Sequence, residues 1–287
     1  MNNKIIFIFF KKIIGWFLCL SLLVLSACSH LNSTLEKAQQ AGFHKTVWHT
    51  KQFPVVTWVK IHNNKLLTIY IEGDGHAWKN RYRISLDPTP KNPVSLKLAI
   101  QDKGGAVLYL SRPCQYLTSQ QRQTCPPKYW TSHRASKTVI ESLNQVIEQV
   151  IKKYQITQIA LIGYSGGGGI APLIAAKRKD VAWIITLAGN LDHQSWTKYH
   201  KVTALTGSLN ALDIATQINH IPQHHFLGKK DKIIPPLVIN RYLEKAGHPE
   251  WLTLIKDYNH SCCWEKNWPA LLCENKKQPW FDYFCMD

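Results

Sequence analysis

The sequence predicts an α/β fold, a mostly parallel central sheet with helices on both faces, and three observations carry that expectation. Apolar or β-rich runs alternate with helical patterns over most of the chain, the arrangement of a sheet covered on both sides. Several of these runs, "GGAVLYLSRP", "ITQIALIGYS" and "VAWIITLAGN", are continuously apolar, as strands buried on both faces must be. Between the first two lies a long amphipathic stretch, roughly His133 to Tyr154. Its residues Val139, Ile140, Leu143, Val146, Ile147, Val150 and Ile151 recur at helical spacing.

In order, "FPVVTWVKI" and "LLTIYIEG" flank the turn-like "HNNK" and read as an antiparallel pair. After the "ITQIALIGYS" strand comes a helix ending near Lys177, then the "VAWIITLAGN" strand. "HHFLGKKD" and "WLTLIKDYNH" supply two more strands, with "PLVINRYLEKAG" as the helix between them. In sheets of this kind reactive groups gather just beyond the carboxyl ends of the strands.

The stretch "LIGYSGGGGIAP" sits at one such end, and its run of glycines demands a reason, since each costs about 1 kcal/mol relative to alanine inside a helix. A phosphate loop would need a lysine followed by serine or threonine, and Ile170, Ala171 and Pro172 stand there instead. Gly163, Tyr164, Ser165, Gly166 and Gly167 meet the pattern G-x-S-x-G. There a serine on a sharp strand-to-helix turn needs tiny neighbours, and helix N-terminal N–H groups face developing negative charge. Pro172 would destabilise a helix interior by about 3 kcal/mol, so the regular helix is expected to start late, at Gly168 or Gly169.

A nucleophilic serine needs a base, and the base an orienting acid. Only His248 and His260 follow the "GKKD" strand. His248 precedes a strand, at the wrong end of the sheet, whereas His260 follows "WLTLIKDYN" at the carboxyl end and is the expected base. Asp231, ending "FLGKKD", is the expected acid, with Asp192 as runner-up and a plain turn carboxylate as the bland alternative. Asp257 stands too near His260 in the chain. The second oxyanion donor is expected from "YIEGDGHAW", where Asp74 and Gly75 follow an apolar strand and would complement the N–H of Gly166. An ordinary Asp-Gly turn is the competing reading.

With "GYSGG", "GKKDKIIPP", "YNH" and "EGDG" in these places, the chain from about Val55 onward resembles the α/β-hydrolases. Through "EGDGHAW", "YLSRPCQY" and "CPPKYWTSHRAS" it is similar to a group of uncharacterised, often exported bacterial members. The resemblance implies the α/β-hydrolase fold and a Ser165–Asp231–His260 triad that cleaves esters, amides or related bonds through an acyl-enzyme. It implies no cofactor. Two departures stand out, the proline after the glycine run and the adjacent Cys262 and Cys263 beside the histidine.

The N-terminus reads as an export signal over residues 1–27: Lys4, Lys11 and Lys12, then a short apolar run from Ile13 to Leu25. "LSAC" resembles a lipobox, which makes Cys28 the lipidated residue. An uncleaved N-terminal anchor is the other reading. Residues 28–45 are expected as a lipidated polar tether and 46–287 as one hydrolase domain, in a bacterial envelope, at the outer membrane facing the periplasm rather than the inner membrane. The net charge of +17 is scattered rather than gathered in one aromatic-interleaved basic motif. Nucleic acid is therefore not an expected partner; the membrane and a small-molecule, lipid or cell-envelope substrate are.

Of eight cysteines, Cys19 leaves with the signal and Cys28 is lipidated, leaving six for an oxidising compartment. Cys114 and Cys125 form the natural pair; the pairing of Cys262, Cys263, Cys273 and Cys285 stays open. A metal site is not expected, since neither C-x-x-C nor H-E-x-x-H occurs. Residues 191–221 carry no long apolar run and are read either as a cap, with Trp196 and Tyr199 lining the pocket, or as a packed crossover. The leading function is a membrane-tethered serine hydrolase. The alternatives are an inactive hydrolase-fold binding lipoprotein, which would not react with a fluorophosphonate, and an acyltransferase, which would pass its acyl group to an acceptor other than water.

Overall fold

A computed structural model describes residues 31–285, Asn64 and Asn275 excepted. The expected signal segment 1–27 and the expected lipidation site Cys28 lie outside the described residues. The elements run α1 (31–40), β1 (His44–His49), β2 (Pro54–Ile61), β3 (Leu66–Ile71), a hairpin of β4 (Trp78–Asn80) and β5 (Arg83–Ile84), α2 (Val94–Gln101), β6 (Ala106–Leu110), α3 (Ser119–Arg122) and α4 (Lys137–Tyr154). They continue with β7 (Gln158–Tyr164), α5 (Gly166–Ala175), β8 (Val181–Leu187), α6 (His193–His200), β9 (Gln223–Gly228), α7 (Pro236–Ala246), β10 (Leu252–Ile255), α8 (Trp264–Leu272) and α9 (Phe281–Cys285).

Eight strands form one sheet in the order β1-β2-β6-β3-β7-β8-β9-β10. The β1–β2 and β2–β6 pairings are antiparallel and the rest parallel. Alternation along each strand divides the core between the two faces. Leu67, Ile69 and Ile71 of β3 join Leu161 and Ile184 under α4 and α5. Tyr70 faces the other way, with Ile162, Ile185, Trp264 and Trp268.

The expected hairpin of β2 with β3 does not form, because β6 lies between them. β3 is buried on both faces along almost its whole length, and a central place with parallel neighbours on both edges covers such a strand better than an edge hairpin does. The expected tether over 28–45 is also corrected: residues 31–40 are helical and β1 begins at His44. Ala38 and Phe43 are buried in the core, and the Trp48 indole donates to Thr57 Oγ1 at 2.9 Å. α4 starts at Lys137 rather than near His133, since Ser136 caps it by accepting from Val139 N–H. Among the described residues no helix is long and apolar enough to cross a membrane.

Candidate active site

Ser165 stands between β7 and α5 with φ 52° and ψ −117°, in the left-handed region that non-glycine residues rarely adopt. This turn explains the glycines. A Cβ on Gly163 would strike the Gly167 carbonyl, and one on Gly167 would strike the Ile71 carbonyl at the end of β3. The run continues because Gly168 and Gly169 pack against Gly189 and Asn190 after β8. The expected late helix start is wrong: α5 begins at Gly166, and Pro172 stands inside it. What the proline removes is one backbone donor, the one that would reach the Gly168 carbonyl.

His260 follows β10, and its Nε2 lies 3.0 Å from Ser165 Oγ. Its backbone is held by two side chains: the His260 carbonyl accepts from Tyr164 O–H at 3.1 Å and from the Trp264 indole N–H at 2.8 Å. Asn259 Oδ1 accepts the N–H groups of Ser261 and Cys262. A Cys262–Cys263 disulfide follows directly, and Cys273 pairs with Cys285, which answers the pairing left open by spacing. Asp231 Oδ2 sits 2.9 Å from His260 Nδ1, while Oδ1 accepts from Ile233 and Ile234 N–H at 2.8 and 2.9 Å. The Asp231 carboxylate is fully buried, so it is fixed on both oxygens. With Nδ1 facing the acid, Nε2 is left to face the serine.

Asp192 is elsewhere. It caps α6, accepts from Asn210 at 2.8 Å and pairs with Arg241 at 2.9 Å. Burial works against its charge, but those hydrogen bonds and Arg241 hold its carboxyl below the usual range. Asp257 pairs with Lys230.

The loop after β3 comes up beside the serine, and Gly166 is packed so closely that a Cβ there would enter the Asp74 carboxylate. That carboxylate is held by Arg134 Nη1 at 2.5 Å and Arg112 Nη1 at 3.3 Å. Burial alone would raise its pKa; the two arginines outweigh burial and keep it below the ordinary carboxylate range. Gly75 has φ +65°, and a Cβ there would strike the Pro88 carbonyl. Arg112 Nη2 also donates to the Arg134 carbonyl, and Gln115 Nε2 donates to the Gly73 carbonyl at 3.2 Å.

Glu72, Arg112 and Arg134 were not singled out from sequence. The one signal was a charge closing an apolar strand in "YIEG" and "YLSRP". Glu72 is 1% exposed and accepts from Gly73 N–H at 2.8 Å and Tyr109 O–H at 3.1 Å. Burial pushes it up to about 7, with the hydrogen bonds it accepts opposing that rise.

Ser165 and His260 open into a cleft of about 480 Å³ whose walls include Asp74, Tyr164, Asn190, Trp196 and Ile234. A second cavity of about 490 Å³, running to Val202–Leu205, shares Trp78, Arg134 and Trp196 with it. The stretch 191–221 therefore divides. Trp196 lines both cavities, Tyr199 is 57% exposed and lines neither, and Ala211, Leu212, Ala215 and Ile218 are buried. Its first half borders the cleft, and its second half is packed crossover. Among the described residues no cluster of three metal-ligating side chains occurs.

No protein-family model and no curated protein matches the chain. Solved structures do. The acylaminoacyl peptidase of Pyrococcus horikoshii superposes with a TM-score of 0.54 at 12% identity, over 76% of this chain and 37% of that one. The chain thus spans little more than a third of that protein. An esterase of Pyrococcus furiosus matches at TM-score 0.52 and 15% identity, over 80% of this chain and 89% of that one. Est1E from Butyrivibrio proteoclasticus matches at 0.53 and 13%, over 77% and 93%. The chain has the α/β-hydrolase fold.

Proposed function

We propose that, on this α/β-hydrolase fold, the chain is a serine hydrolase of esters or amide-type bonds, tethered to the bacterial envelope through a lipid on Cys28. The reading rests on one observation above the others, the continuous relay from Asp231 through His260 to Ser165, at 2.9 and 3.0 Å, opening into a cleft.

In this mechanism His260 Nε2 takes the hydroxyl proton as Ser165 Oγ attacks the substrate carbonyl carbon. The carbonyl π electrons move onto oxygen, where the N–H of Gly166 at the start of α5 and N–H groups of the Asp74–Gly75 turn receive the charge. His260 then returns the proton to the leaving alcohol or amine, and an acyl-enzyme remains. Water, deprotonated by the same imidazole, releases the acid and restores the serine. Asp231 takes no proton in these steps; it orients the ring and stabilises the imidazolium. The cavity beyond Trp78 and Trp196 is the expected place for an apolar acyl group, whether the substrate is a small molecule or a lipid or envelope component.

Pre-steady-state hydrolysis of a p-nitrophenyl ester tests the chemistry. A burst of nitrophenol equal to the enzyme present, followed by slower turnover with free acid as product, is expected. Linear release at the uncatalysed rate would contradict the reading, and acyl transfer to added alcohol in preference to water would turn it into an acyltransferase. Incorporation of labelled palmitate, lost in Cys28→Ala, is the expected result for the tether.

A further inference from the structure

The surface around the cleft mouth has an unusual composition. Among the described residues eleven large hydrophobics are exposed, and eight of them fall on three short segments, 76–91, 194–204 and 229–237. Scattered exposure would be ordinary; concentration at one place is not. The β4–β5 hairpin and its exit present Tyr82 at 88% and Leu86 at 78% exposure, beside Ile84. The end of α6 presents Tyr199 and Val202, and the loop after β9 presents Ile233 and Leu237.

These segments are one surface. Arg81 donates to the Lys201 carbonyl at 3.4 Å, and the Trp196 indole and His200 both meet the Ile233 carbonyl, at 2.8 and 2.7 Å. Trp78 and Trp196 stand where the two cavities join.

The charge on this rim has one sign. The hairpin carries Lys79, Arg81 and Arg83, with Lys91 just after it; the α6 segment carries Lys198 and Lys201; the third carries Lys229 and Lys232. All eight are exposed, and among the described residues none of them makes an ion pair; Lys230, also in the third segment, is paired with Asp257 at 2.9 Å. Of the acids on the same segments, Asp87 is paired with Arg122 at 2.8 Å, and the Asp231 carboxylate is buried beside His260 rather than on the surface.

We infer that this rim is a docking surface for an anionic phospholipid bilayer, which brings the cleft mouth onto the membrane. Exposed aromatic and aliphatic tips interspersed with lysine and arginine are what an interfacial segment needs: the tips enter the headgroup boundary and the cations meet anionic headgroups. A second copy of the chain would bring like charge against like. The inference is separate from the proposed chemistry, because it requires only the rim.

Hydrogen–deuterium exchange of the full chain tests it, on vesicles of equimolar phosphatidylcholine and phosphatidylglycerol against phosphatidylcholine alone. A lipid anchor holds the chain to both, so the difference reports docking rather than anchoring. Slower exchange confined to 76–91, 194–204 and 229–237 on the anionic vesicles is expected, with loss of that protection at high salt. Tyr82→Ser with Leu86→Ser, at sites too exposed to disturb folding, is expected to lose it as well. Ser165→Ala is expected to keep it, so failure of the hydrolase reading leaves this test standing. Equal exchange on both vesicles, protection centred elsewhere, or protection from self-association without vesicles would overturn the inference.

Discussion

In the proposed mechanism Ser165, His260 and Asp231 work as a unit, so removing any one is expected to remove most of the chemistry. Ser165→Ala and His260→Ala are each expected to lower kcat for a short activated ester by on the order of 10³-fold or more, with the melting temperature little changed. Asp231→Asn keeps an acceptor for the Ile233 and Ile234 N–H groups but loses the charge beside His260 Nδ1; slower turnover with near-native stability is the expected outcome. Asp192→Asn is the counter-case. It breaks the pair with Arg241, so denaturant titration is expected to show lost stability while the kcat of the remaining folded protein stays near wild type. The reverse pattern would move the acid to Asp192. That Ser165, Asp231 and His260 would meet was legible because each follows an apolar strand at its carboxyl end; chain order leaves two histidines, and only His260 lies at that end. Arg134 was not, since its partner Asp74 lies 60 residues away and no local pattern joins them.

At the scale of elements, the loop after β3, which the proposed mechanism uses as an oxyanion loop, rests on a neighbour that the Cys114–Cys125 disulfide closes. Arg112 and Gln115, at the root of that closed segment, hold Asp74 and the Gly73 carbonyl. Cys114→Ser with Cys125→Ser is therefore expected to cost about 3 kcal/mol of stability and also to lower kcat at temperatures where the protein is still folded. Stability loss with unchanged kcat would disconnect the two loops. Trp196→Ala, at the junction of the two cavities, is expected to change the ranking of acyl-chain lengths in a kcat/KM series, whereas Tyr199→Ala, which lines neither, leaves it unchanged. Most elements could be read from periodicity, including α4 and the central strands. The neighbour of β3 could not. A turn-like "HNNK" favours a hairpin locally, and only the burial of β3 on both faces brings β6 in between. The helix at 31–40 was hidden by its polar composition, with few buried side chains to mark its inner face.

At the scale of the whole molecule, buried titratable groups tie stability to pH. Burial pushes His224 down to about 4 and His225 to about 3, and raises Glu72 to about 7 and Asp102 to about 6. From pH 4.5 to 6 the unfolded chain holds extra protons on the histidines, so they favour folding as pH rises. The carboxyls hold extra protons in the folded state, so they oppose it. Glu72 contributes stability fully present below its usual 4.5 and lost as pH rises through about 7. Removing that titration by Glu72→Gln is expected to make the stability of the variant relative to wild type climb by on the order of 3 kcal/mol between pH 4.5 and 7. Urea titrations at several pH values check it; a constant difference would mean Glu72 ionises freely in the folded state.

The fold brings distant segments of chain together around Ser165, and a fluorophosphonate reports whether that serine is activated. Peptide mapping of the labelled full chain is expected to find the phosphonyl group on Ser165 alone, with labelling abolished in Ser165→Ala and strongly slowed in His260→Ala. A chain that stays unlabelled while correctly folded, or one labelled equally well without His260, would contradict a Ser165 activated by His260.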